Sequence, residues 1–297
     1  MTRLLCAALV VLAAPLATAQ DAWRWDATRE RKPEKGYRHV TESDGSEKKK
    51  LVARIGAKVV GKEESESKTV TRYVHEILEV ADGKVTKARI KVEKWSRASG
   101  GDEAEHSLEG QTILVEGRGA SIKWTCEDAK AELSDGAKEW IDQTLAPKDD
   151  AANEEAFKSL LPDKPIATGD EWTRDPARFA KVFLGPDLAI DAEKSTAKGK
   201  LGEVKTEDGV HVGRFTLEVV LVSKAEKEDE AVRVVFSVAF DGSLEPDKRD
   251  SSTMTMTVKA KGKQRQETDE GVALIDIDNV ITAKETERPA ADATPKK

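Results

Sequence analysis

A mainly β (α+β) fold is predicted, with long antiparallel strands in two β blocks and a short helical segment between them, and three features of the sequence predict it. Apolar and polar residues alternate with a period of two over long runs in the first and last thirds, as half-buried strands require. Asp82-Gly83 and Asp208-Gly209 punctuate those runs, and Asp-Gly signals a two-residue hairpin because glycine accepts φ > 0. Apolar spacings of three and four, the mark of helices, are confined to the middle of the chain.

Residues 1–19 read as a secretory signal peptide. Arg3 is the positive start, Leu4 to Leu16 an apolar stretch too short to span a bilayer, and Ala17-Thr18-Ala19 a small-x-small cleavage site. Cleavage after Ala19 and a periplasmic or secreted location are therefore expected. Loss of Arg3 takes the formal charge from −7 to −8, and loss of Cys6 leaves Cys126 as the single cysteine. One thiol closes no internal disulfide, although exported proteins meet an oxidising compartment. Cys6 lies inside the apolar stretch instead of after it, which argues against a lipoprotein. No apolar run approaches the ~18 residues of a spanning helix, so the chain is not read as an integral membrane protein.

Residues 20–130 form the first β block. Ala88, Ile90 and Val92 share one strand face, with Lys87, Arg89, Lys91 and Glu93 on the other. In the preceding run Tyr73 and Ile77 oppose Val70, Val74, Leu78 and Val80. Thr112–Glu116 and Ala120–Cys126 are expected to pair across Gly117-Arg118-Gly119, and Leu51, Ala53, Ile55, Ala57 and Val59 suggest one earlier strand.

Residues 131–186 form the helical connection. Ala137, Trp140, Ile141, Thr144 and Leu145 make one stripe, ended by Pro147. Ala152, Ala156, Phe157, Leu160 and Leu161 make a second, ended by Pro162. In the third, Asp175 caps, Pro176 fits the first turn, Phe179, Val182 and Phe183 form the face and Gly185 closes it. Lys148-Asp149-Asp150 lacks the spacing of a calcium loop and reads as solvated.

The stretch from Leu161 to Trp172, LPDKPIATGDEW, resembles the "lP-x-kp-v-x-x-G-d-x-W" motif of a family of uncharacterised exported bacterial β-rich proteins. That resemblance implies a β-rich envelope protein and supplies no catalytic residues. Read from the residues, Pro162 and Pro165 make a rigid extended entry and Gly169-Asp170 a turn. Trp172 is a large apolar anchor packed under the sheet, with the lining of a ligand groove as its alternative role.

Residues 187–284 form the second β block. Phe215, Leu217, Val219 and Leu221 share a face, as do Val232, Val234, Phe236, Val238 and Phe240. Met254, Met256 and Val258 alternate with threonines, which points to core packing and not to a metal box. Ile275, Ile277 and Ile281 oppose Asp276 and Asp278, read as a solvent-facing edge. From residue 285 to 297 the composition predicts a disordered tail. Asp82-Gly83 and Leu108-Glu109 echo Asp208-Gly209 and Leu244-Glu245 at separations of 126 and 136 residues, as in a duplicated, half-barrel-like antiparallel unit.

The chemistry-bearing patterns are missing. There is no G-x-S-x-G, H-E-x-x-H, C-x-x-C or P-loop, and His39, His75, His106 and His211 are scattered. No metal or cofactor is expected. Basic and acidic residues are interleaved and the net charge is negative, which argues against nucleic acid. Lys48-Lys49-Lys50 is the one compact basic run and reads as a solvated turn or strand end. The function expected is that of an exported, non-enzymatic β protein of the cell envelope, binding a lipid or other apolar ligand or an envelope protein. The alternatives are an assembly factor without a small ligand, and a hydrolase whose site forms only in space.

Overall fold

The computed structural model describes residues 24–27, 32–102, 104–118, 121–128, 132–146, 155–183, 189–225, 230–245, 251–268 and 271–290. The signal segment, the Lys148-Asp149-Asp150 loop, Gly185 and residues 291–297 lie outside them. The strands are β1 (Arg38–Ile55), β2 (Lys58–Ala81), β3 (Lys84–Ser99), β4 (Thr112–Glu116), β5 (Lys123–Cys126), β6 (Glu171–Arg174), β7 (Thr196–Glu207), β8 (Val210–Val222), β9 (Arg233–Ser243), β10 (Ser252–Thr268) and β11 (Gly271–Pro289). They form one antiparallel sheet in the order β5-β4-β3-β2-β1-β11-β10-β9-β8-β7-β6.

The two β blocks are thus halves of a single sheet, joined where the first and last strands pair, from His39–Pro289 to Ile55–Ala273. The free edges are β5 and β6, which follow one another in sequence. Counting antiparallel pairings outward from β1 gives these two edges the same direction, so the segment between them is a crossover. That crossover carries the helices. Helix α1 (Asp135–Trp140) starts at Ser134, whose side chain accepts from Ala137 N, and runs on into a π-helical turn, Ile141–Leu145. A short helical turn follows at 155–158, then α2 (Ala177–Phe183), where Asp175 Oδ1 accepts from Ala177 N at 2.9 Å.

Both Asp-Gly pairs form the expected turns. Asp82 and Gly83 have φ of 53° and 71°, Asp208 and Gly209 of 48° and 75°. The apolar run from Leu51 to Val59 is two strands and not one, because the chain reverses at Gly56, φ 57°, and Ala57. Lys48-Lys49-Lys50 lies in mid-strand, with Lys48 paired to Glu66 at 3.0 Å and Lys49 to Glu63 at 2.7 Å. Asp276 and Asp278 lie on a central strand and not on an edge, and Asp276 is paired with Arg54. β11 continues to Pro289, so residues 285–289 belong to the sheet and not to the tail.

Three apolar cores pack on one face. Over β3–β5, Trp95, Val92 and Ile113 meet Ala137 and Ile141 of the crossover. Over β7–β9, Leu217, Val219 and Phe236 meet Leu160, Phe179 and Ala180. Beside the second, Trp25, Trp172, Leu201, Phe215 and Leu244 form a third. Trp95 reaches this face because Glu93 is bulged out: Arg72 pairs with Lys94 and Tyr73 with Val92, and one extra residue restores parity with Ala88, Ile90 and Val92.

Candidate ligand-binding face

Cross-strand partners share a face, so the register can be read across the sheet. One row runs Trp95, Thr71, Ser43, Glu285, Met254, Phe240, Phe215 and Leu201. Both ends are apolar and sit under the crossover, and the middle is not. On this helix-bearing face β1 and β11 contribute nothing to the three cores. They form the floor between two helix-covered flanks.

Along that floor the seam of β11 with its neighbours is apolar. Ile275 and Ile277 face Ala53 and Leu51 of β1, while Ile281 and Ala283 face Val258 and Met256 of β10. All are half-buried. Asn279 interrupts the stripe and turns its amide to Glu47 at 3.2 Å. Lys49 and Glu63 pair across its rim. Toward Pro289 the stripe becomes polar. Tyr73 faces Thr41, which faces Glu287, and His75 faces His39.

This polar end is shielded from water, and its ionisable groups respond. Burial, reinforced by Glu285, pushes the Tyr73 hydroxyl up to about 12, against a hydrogen bond with Thr41. Burial and then His39 push His75 down to about 4, so its ring is neutral at pH 7. His75 Nδ1 lies 3.3 Å from His39 Nε2, and Tyr37 stacks on His39 with centroids 5.5 Å apart. Burial, then Glu287 two residues on, raises Glu285 above the usual carboxylate range. Glu285 is flanked by Ser43 and Met254, and Glu287 by Thr41 and Ser252.

Trp172, the one candidate ligand residue of the sequence, lies elsewhere. It is 9% exposed, donates Nε1–H to Leu160 O at 2.8 Å and meets Trp25 edge-on at 6.1 Å. Its ring lies over Gly199, where a Cβ would collide with it. Trp172 is therefore an anchor and not the wall of a groove. Ile166, between the two prolines and Trp172, exchanges backbone hydrogen bonds with Trp25 at 2.8 and 3.0 Å, so the segment is held at both ends.

The other reactive side chains remain apart. His211 pairs with Glu245, which also accepts from the His211 backbone N–H at 3.2 Å. His106 pairs with Glu109 at 3.4 Å. Cys126, on edge strand β5, is half-buried and donates to Gln111 Oε1 at 3.4 Å. Among the described residues no three His, Cys, Asp or Glu side chains are placed to hold a metal ion, and no helix is long and apolar enough to cross a membrane. The opposite face carries shallow polar troughs. One of about 800 Å³ lies beside Lys48, Lys50, Glu66 and Asp278, and one of about 470 Å³ beside Lys198, Glu218 and Thr257.

Sequence reasoning missed the polar end of the floor. Tyr73 and His75 alternate on one strand and His39 and Thr41 on another, a signal that was readable. The long-range pairing that adds Glu285 and Glu287 was not.

No protein-family model matches the chain, and no curated protein matches it in sequence. Among solved structures, lipovitellin, in a study of its lipid–protein interactions, is 8% identical over 89% of this chain and 26% of its own, with a TM-score of 0.36. The chain thus spans about a quarter of lipovitellin. DynF, from the dynemicin biosynthesis pathway of Micromonospora chersina, is 9% identical over 95% of this chain and 90% of its own, with a TM-score of 0.17. A Pseudomonas aeruginosa FadL homologue is 9% identical over 85% and 90%, with a TM-score of 0.16. Scores of this size do not establish a shared fold.

Proposed function

We propose that this is an exported, non-enzymatic protein of the cell envelope that binds an apolar ligand on the helix-bearing face of its central strands. The observation that carries the reading is the half-buried stripe of Leu51, Ile275, Ile277 and Ile281, which belongs to no core among the described residues and lies between two helix-packed flanks, with Val258 and Met256 beside it packed against the β7–β9 core. An apolar surface left outside every core is a surface awaiting a partner. Met254 and Met256 border it, and methionine adapts to ligands of varied shape. Each methylene taken from water contributes about 0.8 kcal/mol. Ten of them give on the order of 8 kcal/mol, near micromolar affinity before the costs of association. The leading segment, Arg3 to Ala19, supports export.

Assembly through a sheet edge is the less favoured reading. Beyond the end of β3 the free edge of β2 carries Lys58, Lys62, Glu63, Glu64 and Glu66, and edge charges oppose strand addition.

Native mass spectrometry of the protein purified from a periplasmic fraction tests the proposal. A co-purified lipid or other apolar molecule is expected, and it should be lost in Ile277→Lys. A ligand-free wild type that also fails to take up a fluorescent apolar probe after delipidation would reject it.

A further inference from the structure

The apolar stripe is broken at one place, and the side chain there is left unsatisfied. Asn279 stands on the face of the stripe midway between Ile277 and Ile281. At ~3.4 Å per residue the two isoleucines lie about 14 Å apart along β11, with Asn279 about 7 Å from each. Glu47 fixes the orientation of its amide. A carboxylate only accepts, so it is Asn279 Nδ2–H that meets Glu47 Oε1, at 3.2 Å, and Oδ1 is turned away. Asn279 Oδ1 is shielded from water and accepts no hydrogen bond, the one side-chain oxygen in that state among the described residues. Its direct cross-strand neighbours supply no donor. Ala260 has none, and Lys49 carries its ammonium to Glu63 at 2.7 Å. A lone water would find few further partners between Ala260 and the two isoleucines. A buried carbonyl oxygen without a donor is destabilising, and folded proteins leave few of them. One acceptor is thus held ready within an otherwise apolar path.

Resting on the apolar-ligand reading above, we propose that the ligand carries an apolar arm on each side of one internal hydrogen-bond donor, an amide N–H or a hydroxyl. One arm lies over Ile277 toward Ile275, the other over Ile281 toward Ala283, and the donor meets Asn279 Oδ1. Apolar contacts are non-directional and would let a chain slide along the stripe. The hydrogen bond to Asn279 fixes its register. A ligand whose central group only accepts, such as an ester, leaves Oδ1 unpaired and brings a second acceptor against it. The difference amounts to about tenfold in affinity.

The test uses the full mature chain, delipidated, and three probes of matched arms below their aggregation concentrations: N-octyloctanamide, heptadecan-9-ol and octyl octanoate. Displacement of a bound fluorescent apolar probe gives their affinities. The amide, the alcohol or both are expected to bind wild type about tenfold tighter than the ester, and the tighter of the two identifies the donor. In Asn279→Leu, of nearly the same volume, that preference should vanish while the ester binds at least as well as it does to wild type. The denaturant midpoint of this variant should be no lower than that of wild type, since an unpaired acceptor has been removed. An ester bound as tightly as both donors by wild type, a result that needs no variant, overturns the assignment of Asn279 and leaves the apolar reading standing. So does a preference that survives in Asn279→Leu. Failure of all three probes to bind overturns both.

Discussion

Trp95 and Leu201, at the two ends of one cross-strand row, are fully buried, whereas Ser43 and Glu285 in its middle are half-buried. The strands involved alternate in the same way, so alternation alone does not decide which apolar side chains become core. The crossover decides it. Where α1 and the π-helical turn lie on β3–β5, and where Leu160 and α2 lie on β7–β9, the apolar face is closed off. Where no core forms, the same kind of face stays half-buried, and there the proposed ligand would lie. Stability should therefore reside in the flanks and binding in the centre.

The largest expected effect breaks a flank. Trp172→Ala removes a buried indole and its hydrogen bond to Leu160 O, and such a loss costs about 3–5 kcal/mol of a total of roughly 5–15 kcal/mol. The urea midpoint should fall sharply while the variant, once folded, still takes up an apolar probe. An unchanged midpoint with lost probe binding would move Trp172 from the anchor to the binding face.

The boundary between flank and centre should respond to pH. His75 is held near 4 in the folded chain against 6.5 when exposed. Between these values the unfolded chain binds a proton that the folded chain does not, so stability rises with pH. This contribution is fully present above about 6.5 and is lost as pH falls toward 4, roughly 3 kcal/mol in all. Glu285 works in the opposite sense, since its raised value favours the folded state at low pH. Denaturant midpoints at pH 7 and 4.5 should differ less in His75→Gln than in wild type. Identical pH slopes would mean that His75 is hydrated.

The two halves can then be compared at equivalent turns. Gly83→Ala and Gly209→Ala place a Cβ at φ of 71° and 75°, which costs about 1–2 kcal/mol. Equal losses of stability are expected, and a twofold disparity would show that the halves differ in local stability.

The smallest stability change belongs to the centre. Ile277→Ser should destabilise by only about 1 kcal/mol, because Ile277 is half-buried and outside the cores, while weakening retention of an apolar probe. A midpoint shift as large as that of Trp172→Ala would mean that the stripe is core.

Much of the sheet was legible because period-two alternation survives in the structure. The faces of Ala88–Val92, Phe215–Leu221 and Val234–Phe240 are those expected, and both Asp-Gly turns formed. The helical stripes around Ala137 and Phe179 also pack as their spacing implies. What failed had physical causes. Gly56-Ala57 has no two-residue turn signature, so two strands read as one. The bulge at Glu93 moved Trp95 to the other face, which strict alternation cannot express. The charge-rich composition of Glu285 to Pro289 looked like a tail because its partners on β1 lie some 240 residues earlier: Ser46 and Thr282, hydrogen-bonded across the same pair of strands, are 236 residues apart. The placement of Glu285 and Glu287 beside Ser43 and Thr41 depends on that pairing and was invisible for the same reason.

The pairing of β1 with β11 also governs the order in which the molecule can be made. β11, the last strand of this sheet in chain order, joins the two halves, and until it pairs each half presents a long unpaired edge. Loop closure across nearly the whole chain comes late and slows folding, and those open edges are then exposed to pairing between copies. A circular permutant that links β11 directly to β1 and begins within the crossover would turn β11–β1 into a local hairpin. It should keep the native sheet, refold faster and aggregate less during refolding.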